Sequence, residues 1–103
     1  MGSLDDVIKS VENQYEELIE QDVLTIRPKT ETDRLNSVTI SITKQKTIPQ
    51  AVASKLGLRS NGISEDEAKQ LQREIREIGE EHGFVERPHV SSEGSLVFRI
   101  EDE

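Results

Sequence analysis

The chain has no cysteine and no tryptophan, and its 103 residues include one tyrosine and two phenylalanines. Without cysteine, disulfide staples and thiol chemistry are excluded. With aromatics at 3% and hydrophobic residues at 32%, the core must be small and built from Ile, Leu and Val. No apolar run approaches the roughly 20 residues that span a bilayer. The start, Met1-Gly2-Ser3-Leu4-Asp5-Asp6, lacks the basic and apolar stretches of a signal peptide. No Asn-x-Ser/Thr site occurs. The expectation is a cytoplasmic protein that does not enter membranes. A length of 103 residues fits one domain, 1–103. A domain of this size buries a modest share of its surface, and dimerisation is one way to bury more.

Charge is plentiful and uneven. The net charge is −8. Residues 1–22 carry one Lys and seven acids, for −6. Residues 23–62 carry seven Lys/Arg and two acids, for +5, and residues 63–103 carry five and twelve, for −7. Such asymmetry suggests a polar partner or self-association. A solvated surface with chance clustering explains it equally well, and an acidic total also recurs in salt-adapted proteins and in proteins that mimic DNA.

Apolar spacing predicts the elements. Leu4, Ile8, Val11, Tyr15 and Leu18 form a heptad-like stripe, widened by Val7 and Ile19, so Leu4 to Gln21 reads as one helix. Ser3 and Asp6 match a capping box. That helix packs on a core or on its copy in a dimer. Leu24-Thr-Ile-Arg27 alternates as a strand, which Pro28 is expected to end, and Lys29 to Asn36 reads as a loop or hairpin connection. Val38 to Thr43 is a strand with Val38, Ile40 and Ile42 on one face. Pro49 suits the first turn of a short helix with Ala51, Val52 and Leu56 on its apolar side, and Gly57 suits a left-handed cap. Ser64 to Glu81 is a long helix, opened by a Ser64/Glu67 capping box and closed at Gly83. Glu65–Lys69, Arg73–Glu77 and Arg76–Glu80 have the i,i+4 spacing of helix ion pairs. Phe84 to Val90 and Ser95 to Ile100 complete a hairpin, with Pro88 marking an edge strand. The fold class expected is α+β, a single small domain in the order α-β-β-α-α-β-β.

The run Ile48-Pro-Gln-Ala-Val-Ala-Ser-Lys-Leu-Gly-Leu58 resembles the second helix of winged helix-turn-helix domains, and Ile75-Arg-Glu-Ile-Gly-Glu-Glu-His-Gly-Phe-Val85 resembles the end of their third. The resemblance covers residues 48–100. It implies a wing hairpin over Glu86 to Ile100, a first helix at 4–21 and a third sheet strand near 36–44. It also implies a DNA-binding transcriptional regulator acting as a dimer. The chain departs from the family in its long 58–64 turn. It departs again in Glu65, Asp66 and Glu67, which open the helix that would enter the major groove and would repel phosphates there. DNA contacts would therefore come from Lys44, Lys46, Lys55, Arg59, Lys69, Arg73 and Arg76. The alternative is a protein-binding module, or an inhibitor of a nucleic-acid enzyme, presenting Glu65, Asp66, Glu67, Glu74 and Glu77 to a basic protein surface. A DNA mimic is its extreme form.

Signals for chemistry are weak. His82 and His89 match no zinc spacing, and His82 reads as a helix-end residue. No nucleophile elbow, P-loop or Gly-x-Gly-x-x-Gly occurs. The carboxylates fall on polar helix faces. The three aromatics lie on apolar patterns, leaving none for base stacking. The expectation is a binding protein, not an enzyme, with no cofactor, metal or small-molecule substrate.

Overall fold

The computed structural model describes residues 3–31, 34–58, 62–88, 91–92 and 94–102, with Arg34 described by its backbone alone. The elements are α1 (Leu4–Gln14), α2 (Glu16–Glu20), β1 (Leu24–Glu31), β2 (Arg34–Thr43), α3 (Gln50–Leu56), α4 (Glu65–Glu81), β3 (Val85–Pro88) and β4 (Ser95–Glu101). The order is the expected α+β order, with the first helix in two pieces.

The sheet is antiparallel throughout, in the order β1-β2-β4-β3. Two hairpins thus join through their second strands. Register fixes which residues share a face, because side chains alternate along a strand. Ile40 lies between Ile26 of β1 and Phe98 of β4, and Ile42 lies between Leu24 and Leu96. Val38 pairs with Ile100. This face meets the helices, and Val38, Ile40, Ile42, Phe98 and Ile100 are all buried. The helices supply Leu4, Val7, Val11, Tyr15, Leu18, Ala68, Leu71 and Ile75 to the same core. The result is two layers, helices on one face of a sheet.

Most of the N-terminal stripe is therefore used within the chain, with Leu4, Val7, Val11, Tyr15 and Leu18 buried and Ile8 and Ile19 partly so. The helix expected over 4–21 breaks at Tyr15, whose backbone leaves helical geometry at φ −121°, ψ 30°. Tyr15 is 3% exposed, and its phenol reaches across to α4. A tertiary contact thus sets the break, where local spacing called for continuity.

Pro28 does not end β1. The strand continues to Glu31 and pairs Pro28 with Val38 and Lys29 with Ser37, so part of the expected 29–36 loop is strand. The Thr43 N–H donates to the Val23 carbonyl at 2.7 Å. That bond fixes the alternation of bonded and non-bonded pairs, and it puts Pro28 at a non-bonded position. The N–H that proline lacks would point away from β2, out of the edge, so nothing is lost inside the sheet. Pro88 ends β3, on the opposite edge, as expected. His89 and Val90, assigned to the same strand from sequence, lie outside the described residues.

Both capping boxes form. Ser3 and Asp6 exchange hydrogen bonds at the start of α1, and Ser64 and Glu67 do so at the start of α4. Both glycine closures form as well. Gly57 is left-handed at φ 70°, and the Leu58 N–H reaches the Ala53 carbonyl at 2.8 Å. Gly83 has φ +87°, and the Phe84 N–H reaches the Gly79 carbonyl at 2.9 Å. These bonds satisfy carbonyls that a helix end leaves open. Pro49 precedes α3 instead of sitting inside it, and Ala53, not Ala51, is that helix's buried alanine.

Candidate functional site

The long helix α4 has two flanks with different neighbours. At about 100° per residue, Glu65, Lys69, Gln72, Arg73, Arg76 and Glu80 fall on one side of it. Two contacts orient this flank. The Gln72 amide donates to Glu86 of β3, and the Lys44 ammonium sits 2.6 Å from Glu65. The flank therefore faces the β3–β4 hairpin and the segment that follows β2. Lys69, Arg73 and Arg76 run along it at i, i+4 and i+7.

The structure brings Lys44, Lys69, Arg73 and Arg76 to one side of the molecule, and it tempers several of them. Lys44 is paired with Glu65, whose carboxyl is held below its ordinary range by that ammonium. Arg76 lies 3.8 Å from Glu80, and Arg73 donates to Gln70 at 2.6 Å. Of the three helix pairs expected from spacing, Arg76–Glu80 forms. Glu65 turns to Lys44, and Arg73 turns to Gln70 instead of Glu77. Lys46 is half-buried in the connection after β2. Lys55 lies apart from this group, at the end of α3. Its ammonium binds Glu17 of α2, which lowers the Glu17 carboxyl and raises the lysine. Arg59 lies outside the described residues.

The segment after β2 is held from both sides. The Lys44 N–H donates to the Gly94 carbonyl at 2.8 Å, and the Gln45 N–H donates to Ile63 at 3.0 Å. Gly62, at φ +132°, passes so close that a Cβ there would lie 2.7 Å from the Gln45 Cα. The β2–α3 connection, the tip of the second hairpin and the approach to α4 thus form one packed unit behind the cationic flank.

The five acids proposed for a protein partner do not form one row. Glu65 is occupied by Lys44. Asp66 and Glu77 are exposed on the outward side of α4. Glu67 and Glu74 face the opposite flank, toward α1 and α3.

That opposite flank borders a cleft of about 280 Å³ lined by Gln14, Tyr15, Lys55–Leu58, Glu67, Gln70, Leu71 and Glu74. Its polar wall is ordered by a relay. The Gln14 amide donates to the Tyr15 hydroxyl at 3.0 Å, and that hydroxyl donates to Glu74 Oε2 at 3.1 Å. Burial, then the neighbouring Glu74 carboxylate, push the phenol well above its ordinary value, so Tyr15 acts here as a neutral donor. The cleft draws on three separate parts of the chain, and no local spacing announces it. A hydroxyl-bearing residue on an otherwise apolar stripe was its one sequence signal.

The far face of the sheet carries cations that sequence reasoning left out. Arg27, Thr39, Arg99 and Arg87 occupy one row across all four strands. Arg87 and Arg99 stand directly opposite each other, which is unfavourable for like charges. Glu101 offsets this, at 3.3 Å from Arg87 Nε and 3.2 Å from Arg99 Nε. The Arg99 contact is close enough for an ion pair, but it is misaligned, and Nε makes no hydrogen bond.

No cluster of three or more His, Cys, Asp or Glu suited to a metal occurs among the described residues. Nor is any helix among them long and apolar enough to cross a membrane. His82 closes α4 through its ring, whose Nδ1–H donates to the Ile78 carbonyl at 2.9 Å. His89 lies outside the described residues. Fold and site together define a small two-layer α+β domain with a cationic helix flank and a carboxylate-bearing cleft on opposite sides of one helix. No family model, curated protein or solved structure matches the chain.

Proposed function

We propose that this domain is a cytoplasmic transcriptional regulator of winged-helix type, which binds duplex DNA as a dimer. The observation that carries the reading is the alignment of Lys69, Arg73 and Arg76 along the α4 flank beside the β3–β4 hairpin. The resemblance implies such a hairpin as the wing, and the pairing of β2 with β4 agrees with its third strand. Phosphate contacts come from this flank, with Lys44 and Lys46 behind it. The helix start, with Glu65 and Asp66, stays out of the groove. Lys55, bound to Glu17, contributes little. With the α1 stripe buried, dimerisation uses another surface.

Three or four phosphate contacts give a modest salt dependence, with log K falling by about 0.9 per contact per decade of salt. The test is a titration of labelled duplex across a salt series, with mass measured in the same buffers. Lys69→Glu, Arg73→Glu and Arg76→Glu together should abolish binding, while Lys55→Gln should leave it unchanged. Absence of binding at low salt refutes the reading.

A second reading is a protein-binding module or an inhibitor of a nucleic-acid enzyme. It is favoured by the exposure of Asp66 and Glu77 and by the net charge of −8. It predicts binding to a basic protein surface that duplex DNA competes away and that Asp66→Lys with Glu77→Lys removes.

A further inference from the structure

We infer that the uncovered face of the sheet docks an acidic peptide segment of a partner protein, laid along β2 in extended form. The proposal is independent of DNA binding, which uses the flank of α4. The helices cover one face of the sheet, and on the other β2 presents Ser37, Thr39, Ser41 and Thr43. These side chains are short, so β2 forms the floor of a shallow trough between β1 and β4. Thr39, Ser41 and Thr43 are half-buried, and their hydroxyls make no hydrogen bond to another described residue, which leaves them for a peptide backbone.

Arginines form the walls. Arg27 stands on one side of Thr39 and Arg99 on the other, about 10 Å apart on strands spaced about 4.8 Å. Arg27 is exposed and makes no ion pair with a described residue, while Lys29 beside it pairs with Glu31. Arg99 is backed by Arg87, directly opposite it on β3. Glu101 meets both through Nε, one carboxylate oxygen each, so the terminal nitrogens of both guanidinium groups have no partner among the described residues. Arg99 Nε is shut off from solvent without a hydrogen bond, so Glu101 matches this pair incompletely. Two guanidinium groups against one carboxylate leave a single positive charge on that wall, and Arg27 supplies another across the trough. An extended chain sends successive side chains to opposite sides, so two consecutive acids reach both walls. The planar fork of arginine takes a carboxylate through two N–H groups. A nucleic acid fits less well. Single strands need stacking partners, and Tyr15, Phe84 and Phe98 are all buried, while a duplex is too broad to lie between these walls.

The experiment is an NMR titration of the isotope-labelled protein at low ionic strength. The probes are the capped peptide Gly-Ser-Glu-Glu-Ser-Gly and the same peptide with one or both Glu replaced by Gln. The two-acid peptide should shift the backbone amides of Arg27, Thr39, Ser41 and Arg99. It should bind about five-fold tighter than the one-acid peptide, as expected for one exposed charge pair, and the Gln-only peptide should not bind. Arg27→Gln and Arg87→Gln should each reduce the two-acid peptide to the one-acid level. Both side chains are exposed, so the fold should hold, and circular dichroism checks it. Arg73→Gln, on the α4 flank, should leave binding unchanged. A net charge of −8 repels acidic peptides in general, so bulk attraction cannot imitate the result. Shifts confined to α4, or affinity indifferent to both Arg27→Gln and Arg87→Gln, would overturn the site. The same amides shifting with protein concentration alone, or with duplex DNA and not with peptide, would put a second copy or DNA there and overturn the partner.

Discussion

Gly79 lies in α4 at the point where the helix comes nearest β4. An ideal Cβ there would sit 3.1 Å from Ile100 Cγ2 and 3.5 Å from its Cδ1. Gly79→Ala therefore sets two effects against each other. Alanine gains about 1 kcal/mol of helix propensity over glycine in a helix interior. The added methyl presses on a side chain that is 0% exposed and has no room to withdraw. Overpacking of this kind costs about 1–3 kcal/mol. The expected balance is a net loss of about 1 kcal/mol, or a fall in Tm of about 5 °C for a chain of this size. Urea denaturation followed by circular dichroism would measure it, with the slope unchanged and the midpoint lowered. The partner is testable by a double-mutant cycle. Ile100→Val alone should cost about 1 kcal/mol. Valine lacks Cδ1, one of the two atoms nearest the new methyl, which leaves residue 100 room to shift, so the double variant should cost less than the sum by about 0.5–1 kcal/mol. A Gly79→Ala protein more stable than the parent, with strict additivity in the cycle, would refute the close approach of α4 and β4.

Tyr15→Phe removes the donor to Glu74 and leaves a carboxylate at a half-buried wall; thermal unfolding should show a loss of about 1–2 kcal/mol. Gly62→Ala should be more damaging than Gly79→Ala, because the clash is with the Gln45 backbone, which cannot rotate aside; equal midpoints would contradict this. The carboxyls of Asp6, Glu17 and Glu65 are lowered from ordinary values of 3.8, 4.5 and 4.5, so their contribution is complete above those values and is lost as pH falls through them. Lys55 and Tyr15 are raised, so their contributions are complete below ordinary values of 10.5 and 10.0 and are lost at higher pH. Stability against pH should thus show a plateau with an acid and an alkaline limb, and Tyr15→Phe should shallow the alkaline one.

Local rules carried the fold far. Ser3 and Ser64 started helices where a hydroxyl and an acid three residues on could exchange hydrogen bonds. Gly57 and Gly83 ended them where a left-handed residue was needed. Val38, Ile40 and Ile42 named the buried face of β2 by alternation alone. What stayed hidden depended on distance or direction. Tyr15 breaks a well-spaced helix because of a partner 59 residues away. Lys44 and Lys55 look like free cations in sequence, and they are claimed by Glu65 and Glu17, 21 and 38 residues distant. Helix spacing offered Lys69 to Glu65, but an i,i+4 pair at the surface is weak enough for another cation to displace it. Pro28 stops a strand only if its missing N–H faces a neighbour, which sequence does not reveal. The cleft needed three segments to be folded together before it existed.

The two prolines at the outer strands bear on how this molecule can assemble. An unpaired strand edge is an invitation to any other chain with a ladder to offer, and this sheet has two. Pro28 removes a donor from the middle of one outer rail, and Pro88 removes one from the end of the short rail opposite. A fifth strand arriving on either side would find the hydrogen-bond sequence interrupted. Growth of the four-stranded sheet by edge-to-edge addition is thereby discouraged. Contact across the faces, where charge and shape discriminate, is favoured over pairing through the backbone, which accepts nearly any sequence.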